Sequence, residues 1–472
     1  MNYQEALAYL YSLSAFEMGK SSNRNPEENL KRESRLLELL GNPHLNYTNT
    51  LVAGTKGKGS TAAFIERVLR EAGIRTGLYT QPDLHTFRER MRVNGNLISK
   101  DEVAEFVPVV RTAVEALEQS QEFSTFLTYE VATALAFYYF YRRRVQHAVI
   151  EVGLGGRLDS TNVTHPLVSV IASISYDHMQ ILGETLTSIA TEKAGIIKPG
   201  GVVVTSAQPL EALLAIESIC KKQYARMVRI GSNDAVPVSS ELENGLLPAI
   251  SYCYKLEERT EDHQRFTAWT PDHIYTGLEI PLAGQHQLEN ATLALAALDE
   301  LRQKGILWDE HALRTGFRNV RWPARIDVVE HNPTVVVDGA HNADSMEKLL
   351  QALRDSFAFH RLIVVLSLAR DKDLVGIAKA LQFVDAVILT RMVHPRAATI
   401  ESMREVFTLH APNVQLFIAQ DSRTAMNLAL DKATRDDLIC ATGSLYLAGE
   451  VLRWAASRGD TVAAANIEGI DH

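Results

Sequence analysis

The sequence LVAGTKGKGST at residues 51–61 joins a strand-like run to a helical pattern through a glycine–lysine turn. Its apolar beginning is typical of a buried strand, and its glycine–lysine turn leads into a helical pattern at residues 62–69. A glycine-rich turn at a helix start directs backbone N–H groups toward an anion, and the helix dipole adds to the attraction. We therefore expect a phosphate-binding loop, in which Lys58 reaches the terminal phosphates of a nucleotide and Ser60 or Thr61 offers an oxygen to Mg²⁺.

The spacing within this loop differs from the common form G-x-x-x-x-G-K-[ST]. That form would require glycine at Val52 and a hydroxyl residue at Gly59, and the first glycine here, Gly54, lies closer to Lys58. Taken alone, the stretch is also compatible with a glycine-rich strand-to-helix turn that binds no ligand.

Length and composition bound the class of protein. The chain has 472 residues, of which 46% are hydrophobic and 22% charged, so we expect a globular protein with two domains. Its net charge of −9 offers no basic footprint for nucleic acid or for an anionic membrane. Anionic ligands therefore have to be met by local positive charge.

Cysteine usage and the early sequence predict a cytoplasmic location. The 3 cysteines are widely separated and form no C-x-x-C pair, which excludes a conventional disulfide framework and fits a reducing compartment. The first residues lack the apolar core of a signal peptide, and no apolar run approaches the ~20 residues of a membrane span.

Apolar strand-like runs alternate with helical patterns, which predicts an α/β fold with parallel-rich sheets covered on both faces. A nearly apolar helix is expected at residues 129–141, followed by strands at 148–152 and 167–174. A new alternation begins at residue 334. We predict a first domain at residues 1–320 and a smaller α/β domain at 321–472, because Pro323 ends a helical segment in the turn at 318–323.

Two polar side chains follow strands of the first domain. Glu151 comes directly after an apolar strand, where an acid holds Mg²⁺ directly or through water, and His178 follows the next strand and is a second candidate ligand. Each has a structural alternative, since Glu151 could pair with an arginine and His178 could be a hydrogen-bonded structural histidine.

A loop rich in glycine and polar groups follows Glu151, at residues 153–162. Such a loop lets a ligand approach the backbone closely, with Arg157 and Asp159 available for charge-assisted hydrogen bonds. Thr128 and Glu130 are candidate substrate contacts before the buried helix. For Asp159, Thr128 and Glu130, capping of local backbone groups stays open as the alternative.

The second domain contributes the sequence DGAHN at residues 338–342, directly after an apolar strand. It concentrates Asp338, His341 and an amide at a strand end, where they could orient a nucleotide or an amino-acid substrate across a cleft. Arg325 could place delocalised charge on phosphate during transfer, with an interdomain ion pair as the alternative. By local sequence alone, Lys193 is a helix-surface lysine.

Taken together, the motifs resemble the folylpolyglutamate synthase and dihydrofolate synthase family of the Mur-ligase superfamily. The resemblance runs from about residue 39 to residue 446. It rests on the order and spread of separate motifs, namely GTKGKGS (54–60), TYE (128–130), EVGLGGRLDSTN (151–162), DH (177–178), EKAG (192–195), HQ with Asn290 (286–290), WPAR (322–325) and DGAHN (338–342).

The resemblance implies an ATP-dependent C–N ligase with a P-loop nucleotide-binding domain and a Rossmann-like carboxy-terminal domain that closes over the site. It also implies a role for each matching residue. Phosphate and Mg²⁺ would be held by Thr55, Lys56, Gly57, Lys58, Gly59 and Ser60; further metal positions would be Gln81, Glu151, His178 and Lys193; ATP would be bound by Asn290, Arg325 and Asp338, with His341 beside them; and the pteroate would be held by Thr128, Tyr129, Glu130, Leu158, Asp159 and Ser160.

Lys193 matches the lysine that is carbamylated in this family, and the modification turns an ammonium into a carboxylate that coordinates magnesium. The implied cofactors are ATP and Mg²⁺, with a monovalent cation as a further candidate. The implied substrates are L-glutamate and either dihydropteroate or a reduced folate, and we expect a monomer. The pteroyl carboxylate would attack the γ-phosphate of ATP, and the amine of glutamate would capture the acyl phosphate. No protein nucleophile is required.

Several positions depart from the family pattern. Gln81 stands where a serine commonly offers a hydroxyl to magnesium, so its amide oxygen or an intervening water would take that place. Lys56 replaces an asparagine that is common in bacterial members and adds positive charge beside the phosphates. Ala324 occupies the glycine of W-P-G-R, and residues 29–32 follow an early G-L-x-R segment only loosely.

Two other functions stay open at this point. A related ligase would join another amino acid to a different carboxylate, and a P-loop regulatory module would bind nucleotide without ligating anything. The regulatory module would not need Glu151, His178, Lys193 and the DGAHN sequence together, so their joint presence favours the ligase. Within the family, the sequence at residues 153–162 slightly favours an enzyme with both dihydrofolate synthase and folylpolyglutamate synthase activity.

Overall fold

A computed structural model of the chain describes residues 1–19, 26–120, 123, 126–206, 209–233 and 247–459. The described residues form two β-sheets, one of 11 strands and one of 6 strands, each covered by helices on both faces. The predicted α/β class, with a large parallel-rich sheet and a second smaller one, is confirmed.

The larger sheet has the strand order β11-β10-β9-β8-β7-β6-β1-β5-β2-β3-β4. Its strands from β9 to β2 in that order pair in parallel, and antiparallel strands extend it at both ends. The strands are β1 (Thr48–Ala53), β2 (Thr76–Tyr79), β3 (Met91–Val93), β4 (Asn96–Leu97), β5 (His147–Glu151), β6 (Val168–Ile171), β7 (Val202–Ser206), β8 (Arg226–Ser232), β9 (Ile250–Arg259), β10 (Gln264–Trp269) and β11 (Ile274–Ile280).

The strand order of the larger sheet indicates where a ligand-binding crevice lies. From β1 the chain moves to β2 on one side, whereas β6, β7 and β8 lie on the other side. Open parallel sheets bind ligands outside the carboxyl ends of the strands where the order reverses in this way. The loop at residues 54–57 leaves β1 at that point.

Helices cover both faces of the larger sheet. They are α1 (Tyr3–Gly19), α2 (Asn29–Leu39), α3 (Lys58–Glu71), α4 (Lys100–Gln119), α5 (Thr128–Arg142), α6 (Met179–Leu182), α7 (Leu186–Ala194), α8 (Leu210–Gln223), α9 (Gln285–Gln303) and α10 (Glu310–Arg318), with short 3₁₀ turns at Pro26–Glu28, Pro43–Leu45, Phe87–Arg90 and Ser160–Val163. Successive residues of β1 face opposite cores, because Leu51 and Ala53 pack with α5 on one face while Val52 packs with α3 and α9 on the other.

The smaller sheet has the order β12-β13-β17-β14-β15-β16, and all its neighbours pair in parallel except β12 and β13. Its elements are β12 (Asp327–Glu330), β13 (Thr334–Val337), α11 (Ala343–Ser356), β14 (Leu362–Leu366), α12 (Leu374–Ala380), β15 (Ala386–Leu389), α13 (Ile400–His410), β16 (Gln415–Ile418), α14 (Ser422–Lys432), β17 (Leu438–Thr442) and α15 (Leu445–Ser457).

The two sheet units contact each other at two places near the crevice. His85 donates a hydrogen bond from Nε2 to the carbonyl of Gly449 at 2.9 Å, which joins the loop after β2 to α15. The Trp322 ring packs on the first turn of α3 so closely that a Cβ on Gly59 would lie 2.6 Å from it. The smaller unit is therefore held against the end of the larger sheet where β1 finishes.

Within the described residues, no helix combines the length and the apolar composition needed to cross a membrane.

Candidate active site

The loop after β1 has the backbone that a phosphate cradle requires. Gly57 is the N-cap of α3 and has φ of +85°, a conformation that L side chains rarely adopt. A Cβ there would also lie 2.3 Å from the side-chain oxygen of Asn290 on α9. Helix α3 begins at Lys58, so its first N–H groups point into the crevice. Asn290 is thereby placed against the loop, so the structure brings together two positions for which the family resemblance implied nucleotide contacts.

Two lysine side chains converge on one carbonyl of this loop. Lys58 Nζ donates to the Gly54 carbonyl at 3.2 Å and to the Thr55 carbonyl at 3.4 Å. Lys193, from α7, donates to the same Gly54 carbonyl at 2.9 Å. The Lys193 side chain is 5% exposed. Burial and the nearby Lys58 ammonium lower the pKa of Lys193 to about 7. Lys193 is therefore an interior residue, and the surface role suggested by local sequence is wrong.

A third lysine links the two sheet units. Lys56 Nζ donates to a carboxylate oxygen of Asp177 at 3.1 Å and lies 3.5 Å from Nε2 of His341. Burial lowers the pKa of Lys56, with Asp177 opposing the effect. Burial acts to raise the pKa of Asp177, but Lys56 outweighs it and holds that pKa well below its usual range. Asp177 is thus a carboxylate in this structure.

The hydrogen bonds of His341 fix its tautomer. Its Nδ1 lies 2.8 Å from the carbonyl of Gly339, which only accepts, so Nδ1 carries the proton. Nε2 then presents its lone pair to the Lys56 ammonium. Burial and the positive charge of Lys56 lower the pKa of His341 to about 3, so the ring is neutral.

Glu151 lies at the end of β5 and faces the crevice beside the loop. Its carboxylate accepts the backbone N–H of Gln81 at 3.2 Å. Burial raises its pKa, and the positive charge of Lys58 opposes this. The Gln81 side chain lies against the backbone after β5, since a Cβ on Gly153 would approach its amide nitrogen to 2.6 Å. Glu151, Gln81 and Ser60 line one cleft.

His178 lies on the outer side of the same cleft. It is left-handed, with φ of +50°, and it precedes α6. Its side chain is half exposed, and Nε2 is 3.8 Å from an oxygen of Asp177. Across the described ranges, no group of three or more His, Cys, Asp and Glu side chains is placed to hold a metal ion.

Asp338 and Arg325 face the cleft from the smaller unit. Asp338 accepts the backbone N–H of Ala340 at 2.7 Å and that of Ile326 at 3.1 Å, which fixes the strand end to the linker before it. Arg325 donates to the carbonyl of its neighbour Ala324 at 2.8 Å. A Cβ on Gly339 would lie 2.8 Å from the Arg325 guanidinium, so the two segments are packed together.

All these residues surround a single cavity of about 430 Å³ between the two sheets. That volume falls in the range of small-molecule sites. The cavity joins the residues predicted for nucleotide, phosphate and metal, namely Thr55, Lys56, Gly57, Lys58, Gly59, Ser60, Gln81, Glu151, His178, Lys193, Asn290, Arg325, Asp338 and His341.

The residues predicted to hold a pteroyl group do not line this cavity. The Tyr129 hydroxyl donates to Asp159 at 2.7 Å, and the other Asp159 oxygen accepts the Gly153 N–H at 3.1 Å. Thr128 donates to the Leu10 carbonyl at 2.9 Å. These contacts shape the loop beside the cavity. Glu130, Leu158 and Ser160 lie in the same neighbouring region, with Glu130 and Ser160 buried and Leu158 half-buried.

Sequence reasoning missed two groups in and near the site. Asp177 enters the sequence analysis only as part of a motif, although it accepts from Lys56, which also lies 3.5 Å from His341 of the smaller sheet unit. Arg32 and Glu33 on α2 are fully buried beside Glu130. Arg32 and Glu33 could have been found from the sequence as a charged pair within an amphipathic helix. No feature of the sequence distinguishes Asp177 from a surface acid.

The fold and the cleft define a class of protein, the Mur-type ligases, in which a P-loop unit and a second α/β unit enclose one site. Comparisons with protein families agree. The model described as Mur ligase middle domain matches residues 52–298, and the model described as Mur ligase, glutamate ligase domain matches residues 324–445.

Full-length relatives give a narrower result. The chain is 34% identical to the dihydrofolate synthase/folylpolyglutamate synthase of Bacillus subtilis, over 95% of this chain and 98% of that protein. It is 33% identical to the folylpolyglutamate synthase of Lacticaseibacillus casei, over 96% of this chain and 98% of that protein.

A solved structure agrees with these relatives. The Mycobacterium tuberculosis folylpolyglutamate synthase complexed with ADP superposes with a TM-score of 0.83 at 30% identity, covering 95% of this chain and 99% of that one. The chain belongs to the folylpolyglutamate synthase and dihydrofolate synthase family. At the level of that family, the predicted ATP-dependent glutamate ligase of folate metabolism is confirmed.

Proposed function

We propose that this chain joins L-glutamate to a pteroyl carboxylate, at the expense of ATP, through an acyl phosphate. The observation that carries the proposal is the convergence of Lys56, Lys58, Glu151 and His341 on one cavity from two sheet units. Relatives named for both dihydrofolate synthase and folylpolyglutamate synthase activity support a pteroyl acceptor. The E. coli relative solved with DHPP and ADP supports the same class.

ATP would lie with its phosphates over the start of α3. The backbone N–H groups from Thr55 to Ser60 and the Lys58 ammonium suit the β- and γ-phosphates, because the helix dipole and the lysines present positive charge together. Asn290 on α9, Arg325 and Asp338 line the remainder of the cavity and would hold the nucleotide from the other side.

The residues of the cleft fit Mg²⁺. Its preferred ligands are oxygens, and it usually takes one or two carboxylates, substrate phosphates and waters rather than a full protein cage. The buried carboxylate of Glu151 and the hydroxyl of Ser60 line the phosphate end, with the Gln81 amide and His178 beside them. Bound there, Mg²⁺ would neutralise charge on the phosphates.

Lys193 would complete this oxygen set as a carbamate. Its pKa of about 7 leaves much of the amine unprotonated near neutral pH. The free amine attacks the carbon of CO₂, an N–C bond forms, one proton is released, and the product is a carboxylate. The change also removes the repulsion between two ammonium groups that now share the Gly54 carbonyl. A monovalent cation is a further candidate at the same anionic group.

The reaction follows from the charges in the cleft. An oxygen of the pteroyl carboxylate bonds to the γ-phosphorus, and the bond from that phosphorus to ADP breaks. The glutamate nitrogen then bonds to the acyl carbon, phosphate leaves with the C–O bonding electrons, and the surplus protons of the nitrogen pass to phosphate and solvent. Negative charge builds up in both steps, and Lys58 and Arg325 face it from opposite sides.

The acceptor would enter beside the cavity, along the loop at residues 153–159. Tyr129 and Asp159 hold that loop in place, and Thr128, Glu130, Leu158 and Ser160 lie behind it. We propose that the chain accepts dihydropteroate and reduced folates alike, as a monomer with residues 1–320 and 321–472 as its two domains. The change of sheet between Ile280 and Asp327 supports this division.

Phosphate release with ATP, Mg²⁺ and L-glutamate tests the proposal. We expect release only when dihydropteroate or tetrahydrofolate is added, with a product one glutamate longer by mass spectrometry. Activity with both acceptors would indicate a bifunctional enzyme. Release that is independent of every carboxylate acceptor would instead indicate a nucleotide-hydrolysing module.

A further inference from the structure

Five lysine or arginine side chains line the described part of the cleft, and the acids among them have different partners. Among the described residues, four carboxylate side chains line it, namely Glu151, Asp177, Glu289 and Asp338. Asp338 already accepts two backbone N–H groups, and Glu151 accepts one and faces the proposed metal position. Glu289 precedes Asn290 on α9, at the end proposed for the nucleotide. Asp177 is the remaining acid beside the phosphate loop.

The two carboxylate oxygens of Asp177 have different partners, one on Lys56 and one on the backbone of the next residue. Its Oδ2 accepts from Lys56 Nζ at 3.1 Å, and its Oδ1 accepts the backbone N–H of His178 at 3.0 Å. The Asp177 side chain is 16% exposed and lines the cleft beside Lys56. On the other side of Lys56 lies the neutral ring of His341 from the smaller sheet unit.

The Lys56–Asp177 contact lies beside the position proposed for the phosphates of ATP. Lys56 is part of the phosphate loop, and Lys58 and Lys372 add their positive charge to the same region. A triphosphate carries more negative charge than one carboxylate, so it attracts the Lys56 ammonium more strongly. Without Lys56, the partly buried Asp177 carboxylate would lose its nearest cation and keep only the weaker influence of His178 and Lys372, so it would favour a new cation.

The second substrate brings such a cation. L-glutamate carries an ammonium group, and its nitrogen must reach the acyl carbon next to the transferred phosphate. Lys56 is long enough to touch the phosphate site and Asp177 in turn, so an ammonium at Asp177 lies within one side-chain length of the reacting carbon. We propose that Asp177 binds the amino group of incoming L-glutamate after ATP has drawn Lys56 away. This inference rests on the proposed glutamate ligation.

Replacement of Lys56 by the glutamate ammonium at Asp177 would set the order in which the substrates bind. While Lys56 occupies Asp177, the position for the amino group is blocked, so glutamate binds well only after ATP. The neutral His341 ring then faces the same position with its Nε2 lone pair and offers a second acceptor to the ammonium. Asp177 is therefore a substrate-binding residue that acts on the second half of the reaction.

Separate measurement of the two half-reactions tests the inference. Hydroxylamine traps an acyl phosphate as a hydroxamate without glutamate. We expect Asp177→Asn to form hydroxamate from ATP and tetrahydrofolate within about threefold of the unmodified protein, and to raise the KM for L-glutamate about tenfold or more. Asp371→Asn is the matched control, because it removes one carboxylate from an exposed side chain near Lys372.

Glutarate, used as an inhibitor, has the two carboxylates of glutamate but no amine. It therefore distinguishes a loss of amine binding from a general change in the glutamate site. Its inhibition constant should differ by less than about twofold between Asp177→Asn and the unmodified protein, because no ammonium is lost. An unchanged KM for L-glutamate in Asp177→Asn would overturn the inference, and so would an equal loss of hydroxamate and of glutamate product. If Asp177→Asn does not fold, Asp177→Glu should retain glutamate binding, and its loss there would also count against the inference. Absence of both products in the unmodified protein would refute the ligase proposal itself.

Discussion

At the scale of single residues, the phosphate loop depends on a glycine whose replacement is doubly unfavourable. Gly57 has positive φ and touches Asn290, so both backbone strain and a side-chain clash oppose any Cβ. The sequence predicted the loop from its glycines and lysines. It could not predict that α9 packs on the loop, because that contact joins residues more than two hundred positions apart.

Gly57→Ala should weaken nucleotide binding by about 100-fold or more, since the Cβ displaces Asn290 and the loop N–H groups together. Isothermal titration with ADP measures it. Gly73→Ala is the matched control: Gly73 also has positive φ, +79°, but a Cβ there meets nothing within 4 Å. Equal loss of affinity in both variants would mean that strain alone, and not the contact with Asn290, decides binding.

Lys193→Ala should lose most ligase activity and regain part of it when acetate is added, because a free carboxylate can take the place of the carbamate. The measurement is the rate of glutamate product with and without acetate. Lys198→Ala is a suitable control, since Lys198 is also partly buried with a pKa lowered by burial to about 8 but donates to the Asn162 carbonyl. Full activity of Lys193→Ala without acetate would remove the proposed role.

At the scale of elements, hydrophobic patterns predicted the parallel strands and their helices well. The apolar helix expected at 129–141 is α5, and the alternation expected from residue 334 begins with β13, whereas β12 and β16 were not predicted. The antiparallel strands β10 and β11 were not predicted, because buried polar residues such as Gln264 and Thr267 interrupt the apolar pattern of β10.

Contacts between neighbouring strands bury His147, and this burial makes the stability of the fold depend on pH. The hydrophobic periodicity of the sequence does not predict this effect. His147 in β5 is fully buried between the hydroxyls of Thr48 and Thr50, at 2.8 and 3.0 Å. Burial lowers its pKa to about 3. The unfolded chain therefore binds a proton at His147 below its ordinary value of about 6.5 while the folded chain does not. Stability from this residue is present above that value and falls as the pH drops toward 3.

His147→Asn should therefore reduce the loss of unfolding free energy between about pH 7.5 and about pH 5, by up to about 2 kcal/mol. Urea unfolding at the two pH values measures it. The exposed His331 provides the control, because His331→Asn should leave the difference between the two pH values unchanged. An unaltered difference in His147→Asn would show that this ring does not titrate on unfolding.

At the scale of the whole molecule, the site exists only because two sheet units enclose one cavity. Lys56, His341 and Asp177 meet across it, and the hydrogen bond from His85 to Gly449 is a further contact between the two units. The sequence predicted which motifs belong to the site through their resemblance to a family. It could not predict that the segments with Thr128 and Asp159 lie behind the cavity wall, since that placement depends on packing between distant elements.

The contact at Gly449 allows a test of closure. A Cβ there would lie 2.6 Å from the carbonyl of Leu84, so Gly449→Ala should move α15 away from the loop after β2. We expect kcat to fall on the order of tenfold, because small displacements of reacting groups are costly. Gly305→Ala, where φ is +91° and the space is open, is the control. An unchanged kcat in Gly449→Ala would show that this contact does not set the working geometry.

The transfer of oxygen from the acceptor to phosphate tests the central claim most directly. With a pteroyl substrate labelled with oxygen-18 in its carboxylate, attack on the γ-phosphorus moves one labelled oxygen into inorganic phosphate in each turnover. We predict that the labelled phosphate equals the glutamate product in amount. Glutamate product accompanied by unlabelled phosphate would contradict the acyl-phosphate route, and labelled phosphate is not expected in the absence of ATP.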